Sequence, residues 1–162
     1  EALQFHLNSS SSDSTQILRF IETATRTYAL VPFIREYSIS LLQGLRDNDQ
    51  LGQANRLIDF VRKNLTYVRD PIGAEYIVSP VRLLQNFLAT GYMAGDCDDH
   101  VLLLNSLLGA AGIPTKAVGV KFGQTDRWNH VVSGIQLKGQ LWLVDPCSKR
   151  LPQPEYQETL II

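Results

Sequence analysis

The spacing of apolar and polar positions changes period along the chain, and each period predicts its own elements. Leu3, Phe5 and Leu7 alternate with polar residues and predict a short edge strand. Asn8 to Ser14 is rich in serine and reads as an exposed loop. Helical spacing follows. Ile17, Phe20, Ile21 and Ala24 form one stripe. Phe33, Ile34, Tyr37, Leu41 and Leu45 form a second that starts near Pro32, a residue suited to a first helical turn. Beyond the break at Asp47-Asn48-Asp49, Leu57, Ile58, Val61 and Leu65 form a third. Tyr67 to Ala74 reads as irregular, with Pro71 and Gly73 as breakers. Ser79-Pro80 opens a short helix carrying Val81, Leu84 and Leu88, and Gly91 to Gly95 reads as a loop.

The next stretch, Gly95-Asp96-Cys97-Asp98-Asp99-His100 and the apolar run after it, predicts a helix that ends at Gly112 with Pro114 beyond. It is apolar nearly all round, which places it at the centre of the domain. The period then falls to two. Val118, Val120 and Phe122 alternate with Ala117, Gly119 and Lys121, and two further strands are expected around His130–Leu137 and Gln140–Asp145. Helices first and an antiparallel sheet afterwards is the α+β pattern. We expect a single domain over residues 1–162, with an N-terminal helical part at 14–66 and a catalytic core at 55–147.

Composition narrows the partners. The 162 residues suffice to bury a core without staples, and apolar residues make up 44%. A formal charge of −1 offers no electrostatic case for nucleic acid or an anionic membrane, and no apolar run spans a bilayer. Glu1-Ala2-Leu3-Gln4 is not a basic-then-apolar leader, and the sequence has no initiating Met. The two cysteines, Cys97 and Cys147, suggest a reduced, cytoplasmic setting.

Cys97 stands out by position. Asp96 is a good N-cap, and Asp99 completes a variant capping box. Cys97 then falls in the first helical turn, where unpaired N–H groups favour a thiolate and can bind an oxyanion. Asp98 and Asp99 oppose this by raising a thiol pKa, so a cationic partner is needed. A buried structural cysteine is the alternative on these local features. Among the three histidines, His6 lies in the first strand and His100 reads as capping or packing. His130 can be tested by register. If Lys138-Gly139 is a two-residue turn, Leu137 pairs with Gln140 and Val132 lies opposite Asp145. His130 is then diagonal to Asp145 on one face, at about 7–8 Å between backbones.

These residues, followed by Ala111-Gly112-Ile113-Pro114, Asn129-His130-Val131-Val132 and Trp142-Leu143-Val144-Asp145-Pro146, resemble the transglutaminase-like superfamily, in particular its small bacterial and phage members. The resemblance implies a papain-like arrangement, with a central Cys-bearing helix packed on a sheet that supplies His and Asp. It implies Cys97 as nucleophile, His130 as base and acid, and Asp145 as orienter. Family activities include peptide hydrolysis, deamidation, amide hydrolysis and amine transfer. The usual His-Val-Trp is His-Val-Val here, which alters packing more than chemistry. The second oxyanion donor has no clear match; Tyr76 and Gln85 are candidates, and Trp128 is a candidate to line the cleft.

The expected function is therefore acyl transfer on a peptide or protein substrate, with hydrolysis preferred because no acceptor module is visible. Transglutaminase-type crosslinking and a non-enzymatic binding module are the alternatives. A zinc set of Cys97, His100, His130 and Cys147 has plausible spacing in one half only, and no metal or cofactor is expected. A thiolate at Cys97 would react rapidly with iodoacetamide at about pH 6.

Overall fold

In the computed structural model the described residues are 2–5, 11–71, 75–121, 128–148 and 158–162; of residues 2–5, 11–13, 75 and 158 only the backbone is considered. Five helices precede or flank the main sheet: α1 (Ser11–Tyr28), α2 (Pro32–Leu41), α3 (Gln50–Asn64), α4 (Pro80–Thr90) and α5 (Cys97–Ala110). The strands are β1 (Ala2–Phe5), β2 (Leu65–Tyr67), β3 (Glu75–Val78), β4 (Met93–Gly95), β5 (Thr115–Lys121), β6 (His130–Leu137), β7 (Gln140–Val144) and β8 (Glu158–Ile161). The fold class is the expected α+β. The sheet runs β7-β6-β5-β8, antiparallel throughout.

The core forms around α5. Val101 to Leu104, Leu107 and Leu108 are all buried, along with Asn105 and Ser106 between them. One side of the helix packs with Ile34, Leu57, Val61, Leu84 and Met93, and the other with Leu18, Ile21 and Ala117. A helix buried on every side needs no polar face, which is why its sequence lacks one. No described helix is long and apolar enough to cross a membrane.

Several local expectations change. The serine-rich stretch reaches into α1, which starts at Ser11. Serine and aspartate suit the first turn of a helix as well as a loop. Residues 8–10, Leu7 and Phe122 lie outside the described residues. Helix α2 stops at Leu41, before Leu45, and Gly44 follows at φ 87°. Leu88 is exposed, and Leu83 joins Leu84 on the buried face of α4. The loop expected at Gly91–Gly95 contains β4, which pairs in parallel with β2, so Tyr67 is a strand residue too. Three-residue strands are too short to carry a period, and their partners lie far away in sequence.

Candidate active site

The nucleophile end of the site is built by local hydrogen bonds. The Asp96 carboxyl accepts from the amides of Asp98 (3.1 Å) and Asp99 (3.4 Å). Asp99 returns the contact by accepting the Asp96 amide at 3.0 Å, closing the capping box. Its other oxygen accepts the Val78 amide at 2.7 Å and so clamps β3 to the helix start. Gly95 is required here, because a Cβ would stand 2.6 Å from the Asp99 side chain.

This end is electrostatically adverse to an anion. Burial, then Asp98 and Asp96, push the Cys97 thiol well above its usual range, opposed in part by the Val131 amide. The thiol instead donates weakly to Asp98 Oδ1 at 3.8 Å. The Asp96 carboxyl is itself pushed up to about 9 by burial and by Asp98, Asp99 and Asp70. Two of the first-turn amides are spent on the Asp96 cap and carboxylates stand near the sulfur, and both work against the thiolate that a helix N-terminus favours.

The hairpin end is built across strands. Lys138 and Gly139 have φ of 51° and 76°, a type I′ turn, and Leu137 pairs with Gln140. Ser133 pairs with Val144, so the register is the expected one. It brings His130 Nε2 to 2.8 Å from Asp145 Oδ2. Asp145 is further held on every side. Its Oδ1 accepts the Cys147 amide at 2.9 Å, and its carbonyl accepts Arg62 Nε and Nη2 at 3.1 and 3.0 Å. Burial alone would raise this carboxyl, but the His130 contact, the Cys147 amide and the Arg62 charge together hold it below its ordinary value. An ionised Asp145 can only accept, so Nε2 carries the ring proton.

Two clefts meet at His130. One is bordered by Cys97, Asp98, Trp128 and His130. The other is bordered by Tyr67, Arg69, His130, Asp145 and Cys147. Trp128 lines the first cleft, with the Lys121 ammonium 4.9 Å from its ring centre. Neither Tyr76 nor Gln85 borders either cleft. Tyr76 instead gives its amide to Asp70 at 2.7 Å, and Gln85 is exposed on α4. His100 is buried, with Nδ1 2.6 Å from the Asp96 carbonyl and Nε2 3.2 Å from the Leu65 carbonyl. It is committed to packing and cannot join the zinc set considered above.

Four residues at the site were not anticipated. Arg62 sits in the last turn of α3, where a cation is ordinary, and Asp70 precedes Pro71, where an acid reads as a turn former. Tyr67 and Arg69 fall in the stretch taken as irregular. No local signal marks any of them.

Residues 39–146 match the profile of the Transglutaminase-like superfamily. The chain belongs to this superfamily. Its fold is also that of two solved structures: a candidate protease from Parabacteroides distasonis ATCC 8503 and a candidate cysteine protease from Cytophaga hutchinsonii. The first has a TM-score of 0.60 and 16% identity, covering 79% of this chain and 25% of that one. The second has a TM-score of 0.55 and 15% identity, covering 74% of this chain and 38% of that one. The chain therefore spans well under half the length of either structure. No curated protein matches it. In this transglutaminase-like chain, as the resemblance implied, a cysteine heads the central helix; His130 opens β6 and Asp145 directly follows β7.

Proposed function

We propose that the chain is a cysteine-dependent acyl-transfer enzyme acting on peptide or amide bonds, with Cys97 as nucleophile, His130 as base and acid, and Asp145 as orienter. The observation that carries this reading is the 2.8 Å bond to Asp145 made by His130, which borders the same cleft as Cys97. With its proton on Nε2, the imidazole has Nδ1 in the state a base requires. Burial and the Asp98 and Asp96 carboxylates hold the Cys97 thiol above its usual range, so His130 acts on it as a general base as attack begins.

In the first step Nδ1 takes the Cys97 proton and a sulfur–carbon bond forms at the substrate carbonyl. The Cys97 amide, not spent on the Asp96 cap, faces the resulting oxyanion. Collapse breaks the carbon–nitrogen bond, and His130 gives its proton to the leaving amine. Water, deprotonated by His130, then attacks the thioester and releases a carboxylic acid and the thiol. Water is the acceptor that requires no second binding site, so hydrolysis is the preferred outcome.

Candidate peptides incubated with the protein should leave an acyl group on Cys97, identified by mass spectrometry. Cys97→Ala should lower turnover by ~10⁴-fold or more. Turnover that survives Cys97→Ala would refute the reading. Release of acylated amine instead of free acid, when a primary amine is supplied, would make the enzyme a transferase.

A further inference from the structure

The proposed acyl transfer makes no use of Cys147, yet this thiol lies beside the two residues that activate the nucleophile. One ligand atom from each of His130, Asp145 and Cys147 lies within 4.8 Å of the other two. The three come from the two ends of one hairpin. His130 opens β6, and Asp145 and Cys147 follow β7 in a turn tied by the Cys147 amide to Asp145 Oδ1 and the Ser148 amide to the Asp145 carbonyl. The rigid type I′ hairpin therefore sets the spacing of the donors.

Imidazole nitrogen, carboxylate oxygen and thiolate sulfur are the donors Zn²⁺ selects, at about 2.0–2.3 Å each. The edges of such a tetrahedron are roughly 3.3–3.8 Å. The His130–Asp145 contact of 2.8 Å must open by about half an ångström, and the pairs to sulfur, whose edge is about 3.5 Å, need close by no more than about 1.3 Å. The set borders an open cleft, which provides an entry path and a fourth position for water. Arg62, bonded to the Asp145 carbonyl, is an unfavourable charge beside the set, and Arg69 is a second, on the border of the same cleft. It is exposed and able to turn to solvent.

We propose that His130, Asp145 and Cys147 form an inhibitory Zn²⁺ site that switches the enzyme off. Its consequence for activity rests on the function proposed above; metal binding itself does not. The Cys147 proton passes to solvent, and the metal takes His130 Nε2, whose proton moves to Nδ1. The bound ion, one thiolate and one carboxylate then sum to zero charge. Inhibition follows from the tautomer. Nδ1 now carries a proton and cannot accept another from Cys97, and Asp145 is held by the metal rather than by the ring. Zinc thus blocks acyl transfer without touching the nucleophile.

The test uses Co²⁺ as a spectroscopic stand-in and Zn²⁺ as competitor, on the full chain. Co²⁺ should produce a thiolate-to-metal charge-transfer band in the near ultraviolet and visible bands of tetrahedral intensity, both abolished by stoichiometric Zn²⁺. Cys147→Ser should remove the charge-transfer band and weaken Zn²⁺ binding by ~10-fold or more. Cys97→Ala should keep both. A band lost in Cys97→Ala, or kept in Cys147→Ser, would overturn the proposal. Because Cys147→Ser could disturb the turn, X-ray absorption on the wild-type zinc complex provides an independent reading. One sulfur with nitrogen and oxygen neighbours is expected, and no sulfur or two would overturn the site. With a working substrate, Zn²⁺ should inhibit and a chelator restore activity. Binding as described with no active substrate would refute the acyl-transfer reading and leave the metal site standing.

Discussion

The two halves of the site treat charge in opposite ways. At the start of α5, Asp96 and Asp99 are both raised, Asp96 to about 9, because burial crowds carboxylates together. At the end of β7, Asp145 is lowered, because an imidazole, an amide and the Arg62 charge converge on it. The first half favours neutral forms and the second an ionised acid beside a proton donor. Such a site disfavours a thiolate at its helix end and an uncharged acid at its hairpin end. Burial is similar at both ends; the partners decide the sign.

The comparison predicts first that the hairpin half governs turnover. His130→Ala should lower kcat/KM by ~10³-fold or more, and Asp145→Asn by ~10²-fold or more through loss of the preferred tautomer. Steady-state kinetics on a trapped substrate would check both, and an Asp145→Asn enzyme of full activity would remove the distinction between the halves. The next effect falls on the helix end. Asp98→Asn takes away the charge nearest the sulfur and should speed iodoacetamide labelling of Cys97 by ~10-fold at neutral pH. In the unaltered protein labelling should rise in the alkaline range, above the pH of about 6 expected of a Cys97 thiolate. Unchanged labelling in Asp98→Asn would mean that the Asp98 charge does not set the thiol.

Stability should depend on pH with opposite signs at the two ends. Asp145 has a lowered folded pKa, so its contribution is present above the unfolded value of ~3.9 and is lost as pH falls through the folded value. Asp96 is raised, so ionisation costs stability progressively from ~4 up to about 9. Asp96→Asn keeps a capping oxygen and should therefore raise the urea midpoint increasingly above pH ~4, whereas Asp145→Asn should lower it there. Parallel pH profiles for the two variants would break the comparison. The smallest effect is at the turn. Gly139→Ala, at φ 76°, should cost ~1 kcal/mol in chemical denaturation.

Legibility in the sequence followed the range of the interactions. The capping box at Asp96 and Asp99 and the hairpin register from Lys138-Gly139 were both readable. Each depends on residues a few positions apart or on counting back from one turn. β2 and β4 were not, because three residues carry no period and their pairing spans Leu65 to Met93. The same holds for Arg62, which reaches the Asp145 carbonyl from the end of α3.

The sequence by itself determined a central apolar helix headed by Cys97, a hairpin that places His130 diagonal to Asp145, and membership signs of a transglutaminase-like chain. Periodicity, capping and turn chemistry act locally, so they are written in neighbouring residues. Only the tertiary structure decided the charge state of the site and the company Cys147 keeps. Both depend on which groups burial brings together from distant segments, and on whether a cation or another carboxylate stands beside each of them.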